Sequence, residues 1–425
     1  MRERIRNLFT GNQLARNSLW MFLGSGVRFA TQVLYFILVA RALEASGYGT
    51  FVAVTSLVAI FAPFSSLGAG FVMIKNVSRD PATLRKYLGN AMALTALMSA
   101  LLFLLVMAVS SSLLPGSIPA WLVLLVAVSD LFFAALAAVS TQVFVAFQEM
   151  KWAATLNMML GAFRLAAALA LSYLVAAPTP LVWGALYLSG TALGALFSVA
   201  LVFRRYGLPP FGIARDAAEL VEGFHFSLTL SSQSIYNDID KTMLSRMDGV
   251  EAAGIYAAAY RFCDAVFMPV SAILYAAYAR FFQHGARGVR GSFDFARKLV
   301  PVAAAYSLGA GIFLFVFAPY IPHVLGEKYA AASEILRWLC PLPFLKSLHY
   351  FGADVLTGAG HQRVRSYLQI AVAVFNVFLN LFLIPAFGWR GAAWSSLASD
   401  GLMAALVWGI VYRHLRRRNH VGDDG

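Results

Sequence analysis

From Leu19 to Val39 the chain runs with a single charge, Arg28, and no proline. That run exceeds the core of a secretory signal, about 7–15 residues. It matches the roughly 20 residues a helix needs to cross hydrocarbon. Arg2, Arg4, Arg6 and Arg16 before it, and Ala40-Arg41-Ala42 after it, imitate a cleavable leader. More apolar runs follow at once, so the segment reads as an uncleaved first helix. In all, apolar segments fall near 17–39, 49–73, 87–109, 119–147, 154–175, 181–203, 223–245, 252–282, 299–318, 332–356, 366–386 and 391–412. They are far longer than the about 9–11 residues of a barrel strand, and helices satisfy their own backbone hydrogen bonds in lipid.

Of the 425 residues 60% are apolar and 12% charged, half the soluble norm of about 25%. This excludes a soluble enzyme, a disordered chain and a disulfide scaffold. Cys263 and Cys340 each sit in an apolar stretch and offer no metal-ligand spacing. The connectors are too short for an extramembrane domain, and no P-loop, HExxH or GxSxG motif occurs. The connector from Lys75 to Lys86 also lacks the Gly-x-x-x-Asp-Arg pattern of major facilitators.

Orientation follows from lysine and arginine in the connectors. With the N-terminus inside, 23 of the 33 fall on the cytoplasmic side and only Arg41, Arg246, Lys328 and Arg390 on the other. Dropping one helix would scramble that alternation. The expected protein therefore spans a membrane many times with both termini cytoplasmic. Its +13 charge is accounted for by topology and lipid headgroups, without nucleic acid. Trp121, Trp183, Trp389 and Trp152, near predicted helix ends, read as interfacial anchors.

An internal repeat recurs at an offset of 207. Glu44 and Gly47 match Glu251 and Gly254, Gly184-Ala185 matches Gly391-Ala392, Ser189 matches Ser396, and Gly194 matches Gly401. Pro63 and Pro269 miss the register by one residue. Six helices per half make the repeats parallel, about an axis along the membrane normal. The expected fold is thus all-α and polytopic, twelve transmembrane helices in two six-helix lobes related by a pseudo-twofold. The N-terminal lobe would occupy 1–203, a linker 204–222 and the C-terminal lobe 223–425.

Six cations remain inside the predicted spans: Arg28, Arg164, Lys241, Arg261, Arg337 and Lys346. Each costs roughly 2.5–3.5 kcal/mol at mid-bilayer even on the mildest scale, so each needs a partner or a watery cavity. Arg28 and Arg164 lie about ten residues from the cytoplasmic face; Arg261, Asp264, Asp130 and Asp400 lie at similar depth from the other. Arg28 and Arg164 would either pair with Asp130 or another acid, or form an anion site. Arg261 and Asp264, three apart on one face, would neutralise each other. Asp238, Asp240 and Lys241 on the adjoining helix would form a structural knot or a gate. Lys346 shares a face with His349 beside Pro341 and Pro343, which should break the helix and mark a transporter site. A lone hydrogen-bonded role is the plainer reading of His349.

Several stretches resemble polysaccharide transporter (Wzx-type) flippases of the multidrug/oligosaccharidyl-lipid/polysaccharide (MOP) exporter superfamily, which includes the MATE transporters. They are Val39-Ala40-Arg41-Ala42-Leu43 with Gly47-Tyr48-Gly49, and Gly254-Ile255-Tyr256-Ala257-Ala258-Ala259-Tyr260-Arg261. Leu325-Gly326-Glu327-Lys328-Tyr329 and the run Asn380 to Gly388, then Gly391-Ala392-Ala393, complete the likeness. The resemblance implies passage of polyprenyl-diphosphate-linked glycans by alternating access, with Arg28, Arg261 and Lys346 on cavity-lining helices.

The sequence-based expectation is a flippase, not an enzyme, that moves a lipid-linked oligosaccharide to the periplasmic leaflet for O-antigen, lipopolysaccharide, capsule or exopolysaccharide assembly. Arg28, Arg164, Arg261 and Lys346 would hold the diphosphate. Asp130, Asp238, Asp240, Lys241 and Asp264 would gate or couple an ion, sodium or proton. No metal or cofactor is expected. Partners would be the substrate, membrane lipid, and a polysaccharide polymerase with chain-length proteins. The alternatives are an ion-coupled multidrug exporter of the same superfamily and, further off, a membrane-embedded glycan enzyme.

Overall fold

The computed structural model describes residues 2–210, 212 and 217–421, with side chains described at 26, 30–278 apart from the gap, and 280–416. Among these no strand forms. The helices are α1 (Arg2–Phe61), α2 (Ala69–Val77), α3 (Leu84–Leu113), α4 (Ala120–Ala127), α5 (Ala134–Ala146), α6 (Met150–Leu174) and α7 (Pro180–Tyr206). Then come α8 (Ala217–Met247), α9 (Val250–Gly285), α10 (Val289–Phe317), α11 (Ile321–Leu325), α12 (Ala332–Leu339), α13 (Leu342–Gly358), α14 (Gln362–Phe387) and α15 (Trp389–Val421).

Nine helices among the described residues are long and apolar enough to cross a membrane. The twelve expected crossings are recovered once three local features are recognised. α1 holds two crossings, hinged at Glu44, whose φ of 56° turns the chain without a loop. α8 is a full-length helix made too polar to qualify by Asp238, Asp240 and Lys241. The tenth crossing is divided at Pro341 into α12 and α13.

Each break has a chemical cause and a chemical remedy. The second crossing, expected as one run over 49–73, stops at Phe61, and a turn through Leu67 and Gly68, both at positive φ, leads into α2. Ser227 and Ser231 donate to the carbonyls of Pro63 and Ile60 at 2.8 and 2.7 Å. Neighbouring hydroxyls thus replace the helical donors that lipid cannot supply. Between α4 and α5 one π-helical turn, Val128–Phe133, shifts the ladder, and Ser99 donates to the Leu131 carbonyl at 2.5 Å. Between α12 and α13, Pro343 removes the donor for the Leu339 carbonyl, which faces the Cys263 thiol at 3.7 Å.

The chain divides into two compact units. The first comprises Met1–Leu43 and Val54–Ser231, the second Glu44–Ala53 and Ser232–Gly425. The first unit thus extends through Ser231, midway along α8, while the second takes in ten residues of α1, Glu44–Ala53. In the first unit Val72, Met73, Leu88, Val143, Phe144 and Leu156 form one buried core. In the second, Val270, Phe281, Phe351, Val355, Leu356 and Val407 form another. Leu104, Leu174, Ile312 and Phe382 are exposed, as lipid-facing side chains must be. Trp183 departs from its expected place. It is fully buried, packed against the Tyr35 and Tyr187 rings rather than set at an interface.

Because lipid is as apolar as leucine, helices in a membrane associate through close packing, and small residues allow the closest approach. Gly49 and Gly254 do this in the second unit: a Cβ on either would collide with the carbonyl oxygen of Val250 or Ala45. Gly254→Val should therefore lower the stability of the detergent-purified protein by about 1–3 kcal/mol, read as a lower melting temperature. Gly309→Val, where a Cβ meets nothing within 4 Å, should leave it unchanged. Equal melting of the two variants would remove the crossing from the account.

Candidate functional site

In the first unit the π turn aims Asp130 at α6 and α7. Arg164 Nη2 lies 3.0 Å from Asp130 Oδ1, and its Nε donates to Thr191 Oγ1 at 2.9 Å. The Tyr187 hydroxyl donates to Asp130 at 2.8 Å, and the guanidinium lies 4.5 Å from the Tyr187 ring centre. Asp130 and Arg164, whose pairing was one of two readings the sequence left open, form one ion pair. Each sits near mid-span, counted from opposite faces, which is why the two meet.

The second unit gathers more charge. On α8, Lys241 Nζ lies 2.8 Å from Asp238 and 3.7 Å from Asp240. Asp240 also accepts from the Tyr256 hydroxyl at 2.8 Å and the Ser396 hydroxyl at 3.2 Å. On α13, Lys346 Nζ lies 3.5 Å from Asp264 of α9. The Tyr260 ring joins the two halves of this cluster: Lys241 and Lys346 stand 4.4 and 4.6 Å from its centre. Such cation–π contacts strengthen where water is excluded. Arg261 hydrogen-bonds the Tyr48 hydroxyl and feels the charge of Asp264, which also stands near Lys346. Tyr48 comes from the ten residues of α1 that belong to this unit.

Exposure separates these charges. Lys241, Asp240 and Lys346 are buried, whereas Arg261 is exposed and the side chains of Asp264 and Asp238 are 44% and 35% accessible. Three cations, Lys241, Arg261 and Lys346, thus oppose three carboxylates, Asp238, Asp240 and Asp264. The buried members anchor, and the exposed members face whatever enters. Sequence depth brought out these six, but not Tyr48, Tyr256 and Tyr260. Tyr256 and Tyr260, four apart on α9, and Tyr48 in the Gly-Tyr-Gly stretch were the available signal.

Further charges are placed elsewhere. His349 Nε2 lies 2.9 Å from Asp400 Oδ1 in the second unit, so His349 is not a lone histidine. Asp354 pairs with Arg365 at 2.9 Å, and Glu334 with Arg390 at 2.8 Å on an exposed surface. The side chain of Arg28 lies outside the described residues. Among the described residues no group of three or more His, Cys, Asp or Glu is placed to hold a metal ion.

The family model described as "Polysaccharide biosynthesis protein" matches residues 14–284, and the MatE family model matches residues 226–382. No curated protein sequence matches the chain. Three solved structures share its fold. An inward-facing multidrug resistance MATE family transporter of the MOP superfamily aligns at 14% identity and TM-score 0.74, over 92% of this chain and 98% of that one. The lipid II flippase MurJ, inward closed, aligns at 13% identity and TM-score 0.70, over 94% and 87%. A MOP superfamily transporter from Pyrococcus furiosus, described as having a binding pocket of reverse polarity, aligns at 14% identity and TM-score 0.67, over 95% of both.

If the Arg164–Asp130 pair holds α6 to the π turn, Arg164→Ala should cost about 3–5 kcal/mol by leaving a carboxylate alone. The double variant Asp130→Asn/Arg164→Gln should recover most of that loss. Thermal unfolding in detergent measures both, and a double variant no more stable than the single one would contradict the pairing.

Proposed function

Because this chain belongs to the polysaccharide biosynthesis protein family and is a multi-pass MOP superfamily transporter rather than an enzyme, we propose that it flips a polyprenyl-diphosphate-linked oligosaccharide. The direction is from the cytoplasmic to the periplasmic leaflet of the bacterial inner membrane, by alternating access, with both termini cytoplasmic. The glycan would serve O-antigen, lipopolysaccharide, capsule or exopolysaccharide assembly, beside a polymerase and chain-length proteins.

The observation that carries this reading is Arg261, an exposed residue in a cluster that also holds Lys346. A sugar-diphosphate headgroup loses water on entering hydrocarbon and needs replacement partners. Arginine supplies two parallel donors to phosphate, and lysine a compact charge. Asp264, partly exposed and 3.5 Å from Lys346, is the carboxylate a phosphate would displace. Arg164 joins the set only by exchanging Asp130 for phosphate; Arg28 is assigned on depth alone. Similarity to a lipid II flippase supports a lipid-linked cargo. With a negative interior, outward movement of an anion gains up to about 2.3 kcal/mol per charge per 100 mV. A sodium or proton gradient acting through Asp238, Asp240 or Asp264 would add to it.

The second reading, a multidrug exporter, is favoured by those same acids: Asp238 and Asp264 are partly exposed and would attract a cationic drug. The two readings separate in proteoliposomes. A fluorescent diphosphate-linked glycolipid should become accessible on the far leaflet, and Arg261→Ala should slow that about tenfold or more, the worth of one charge-assisted hydrogen bond. Unchanged flipping after removing Arg28, Arg164, Arg261 and Lys346 together would discard the diphosphate site. Drug efflux without glycolipid movement would install the second reading.

A further inference from the structure

Behind the diphosphate cluster, α13 carries His349 one helical turn from Lys346, on the same face. His349 and Asp400 are 4% and 1% exposed. Nε2 and Oδ1 stand 2.9 Å apart, yet neither atom makes a hydrogen bond of good angle. The Tyr236 hydroxyl is set against Asp400, and Gln369 Oε1 is unanswered among the described residues. His349, Tyr236 and Gln369 line one recess, together with Gln233 and Tyr350. It has room for about one water molecule.

The groups around the His349–Asp400 pair come from several helices: Tyr236 of α8 and Tyr350 of α13 lie against the imidazole, and Tyr236, Tyr260 of α9 and Lys346 of α13 feel Asp400 of α15. α14 brings the uncharged Gln369. α10, which packs along α13, brings the uncharged Ala296 and Ala303 into one core with Phe351 and Val355, and Ser292 beside Gly358.

We propose that the His349–Asp400 pair is a proton-binding site linked to the diphosphate site through Lys346. A neutral imidazole beside a carboxylate leaves one net negative charge in a buried place. One added proton, held on Nε2 and donated to Oδ1, gives an imidazolium–carboxylate pair with no net charge. Histidine is the side chain suited to that change near neutral pH. Before the proton arrives, Asp400 draws on Lys346, which feels both Asp264 and Asp400. Afterwards Lys346 is released toward Asp264 and an incoming phosphate. Proton uptake and diphosphate binding then favour one another, and by linkage each raises the affinity for the other equally. This inference rests on the diphosphate reading above.

The test is titration calorimetry of the full-length protein in detergent with geranylgeranyl diphosphate, in two buffers of different ionisation heat, from pH 6.5 to 8. The wild type should take up more protons per ligand than His349→Gln or Asp400→Asn, the difference approaching one. Its Kd should weaken with rising pH by up to about tenfold per unit, and the variants should lose that slope. The ligand's own deprotonation works in the opposite sense, so it cannot imitate the result. Equal proton counts in wild type and variants overturn the linkage and leave the diphosphate reading standing. Absence of binding by the wild type at every pH overturns both. If neither variant purifies, a wild type that takes up no proton on binding between pH 7.5 and 8, where the ligand's phosphates are already deprotonated, overturns the linkage by itself.

Discussion

Hydrocarbon offers a charged side chain no water, so a charge survives there only beside a partner. That constraint organises the interior of both units. In the first it yields one closed pair, Arg164 with Asp130, completed by Tyr187 and Thr191. In the second it yields a connected cluster in which Lys241 and Lys346 share the ring of Tyr260. Backbone obeys the same rule: where the second crossing breaks, two serine hydroxyls of α8 take the carbonyls near the break.

The two units differ in what their charges can still do. Arg164 makes its bonds to Thr191 and Asp130, and Asp130 has Tyr187 as well, so a ligand must displace several partners to reach either. In the second unit Arg261 is exposed, and Asp264 is only loosely held at 3.5 Å from Lys346. A weakly paired charge at an accessible edge, backed by buried charges that cannot move far, is suited to exchanging one anion for another. Tyrosine supports this by offering a hydroxyl to a carboxylate, as Tyr256 does for Asp240, and a ring to an ammonium, as Tyr260 does.

Much of the fold was legible because lipid imposes length. The twelve apolar segments, the break at Pro341 and the full span of α8 all follow from runs of residue types. The hinge at Glu44 and the π turn around Asp130 were not, since each depends on a single backbone conformation that neighbouring helices stabilise. Of the site, depth was readable and rotation was not. Counting residues from the faces put Arg261, Asp264 and Lys346 within reach of one level, but only packing shows Lys346 3.5 Å from Asp264 and Arg261 hydrogen-bonded to Tyr48. Depth left Arg164 either to pair with Asp130 or to form an anion site, and packing decides for the pair. Asp400 and His349, on α15 and α13, were each visible as polar residues at depth, and only packing joins them.

The account turns on whether the second unit's exposed cation exchanges its protein partner for phosphate. An experimental structure of the full-length protein with geranylgeranyl diphosphate bound tests this most directly. Phosphate oxygens about 3 Å from Arg261 and Lys346, with Asp264 withdrawn from Lys346, is the arrangement predicted here. A diphosphate seated elsewhere, with the Lys346–Asp264 pair undisturbed, would contradict it.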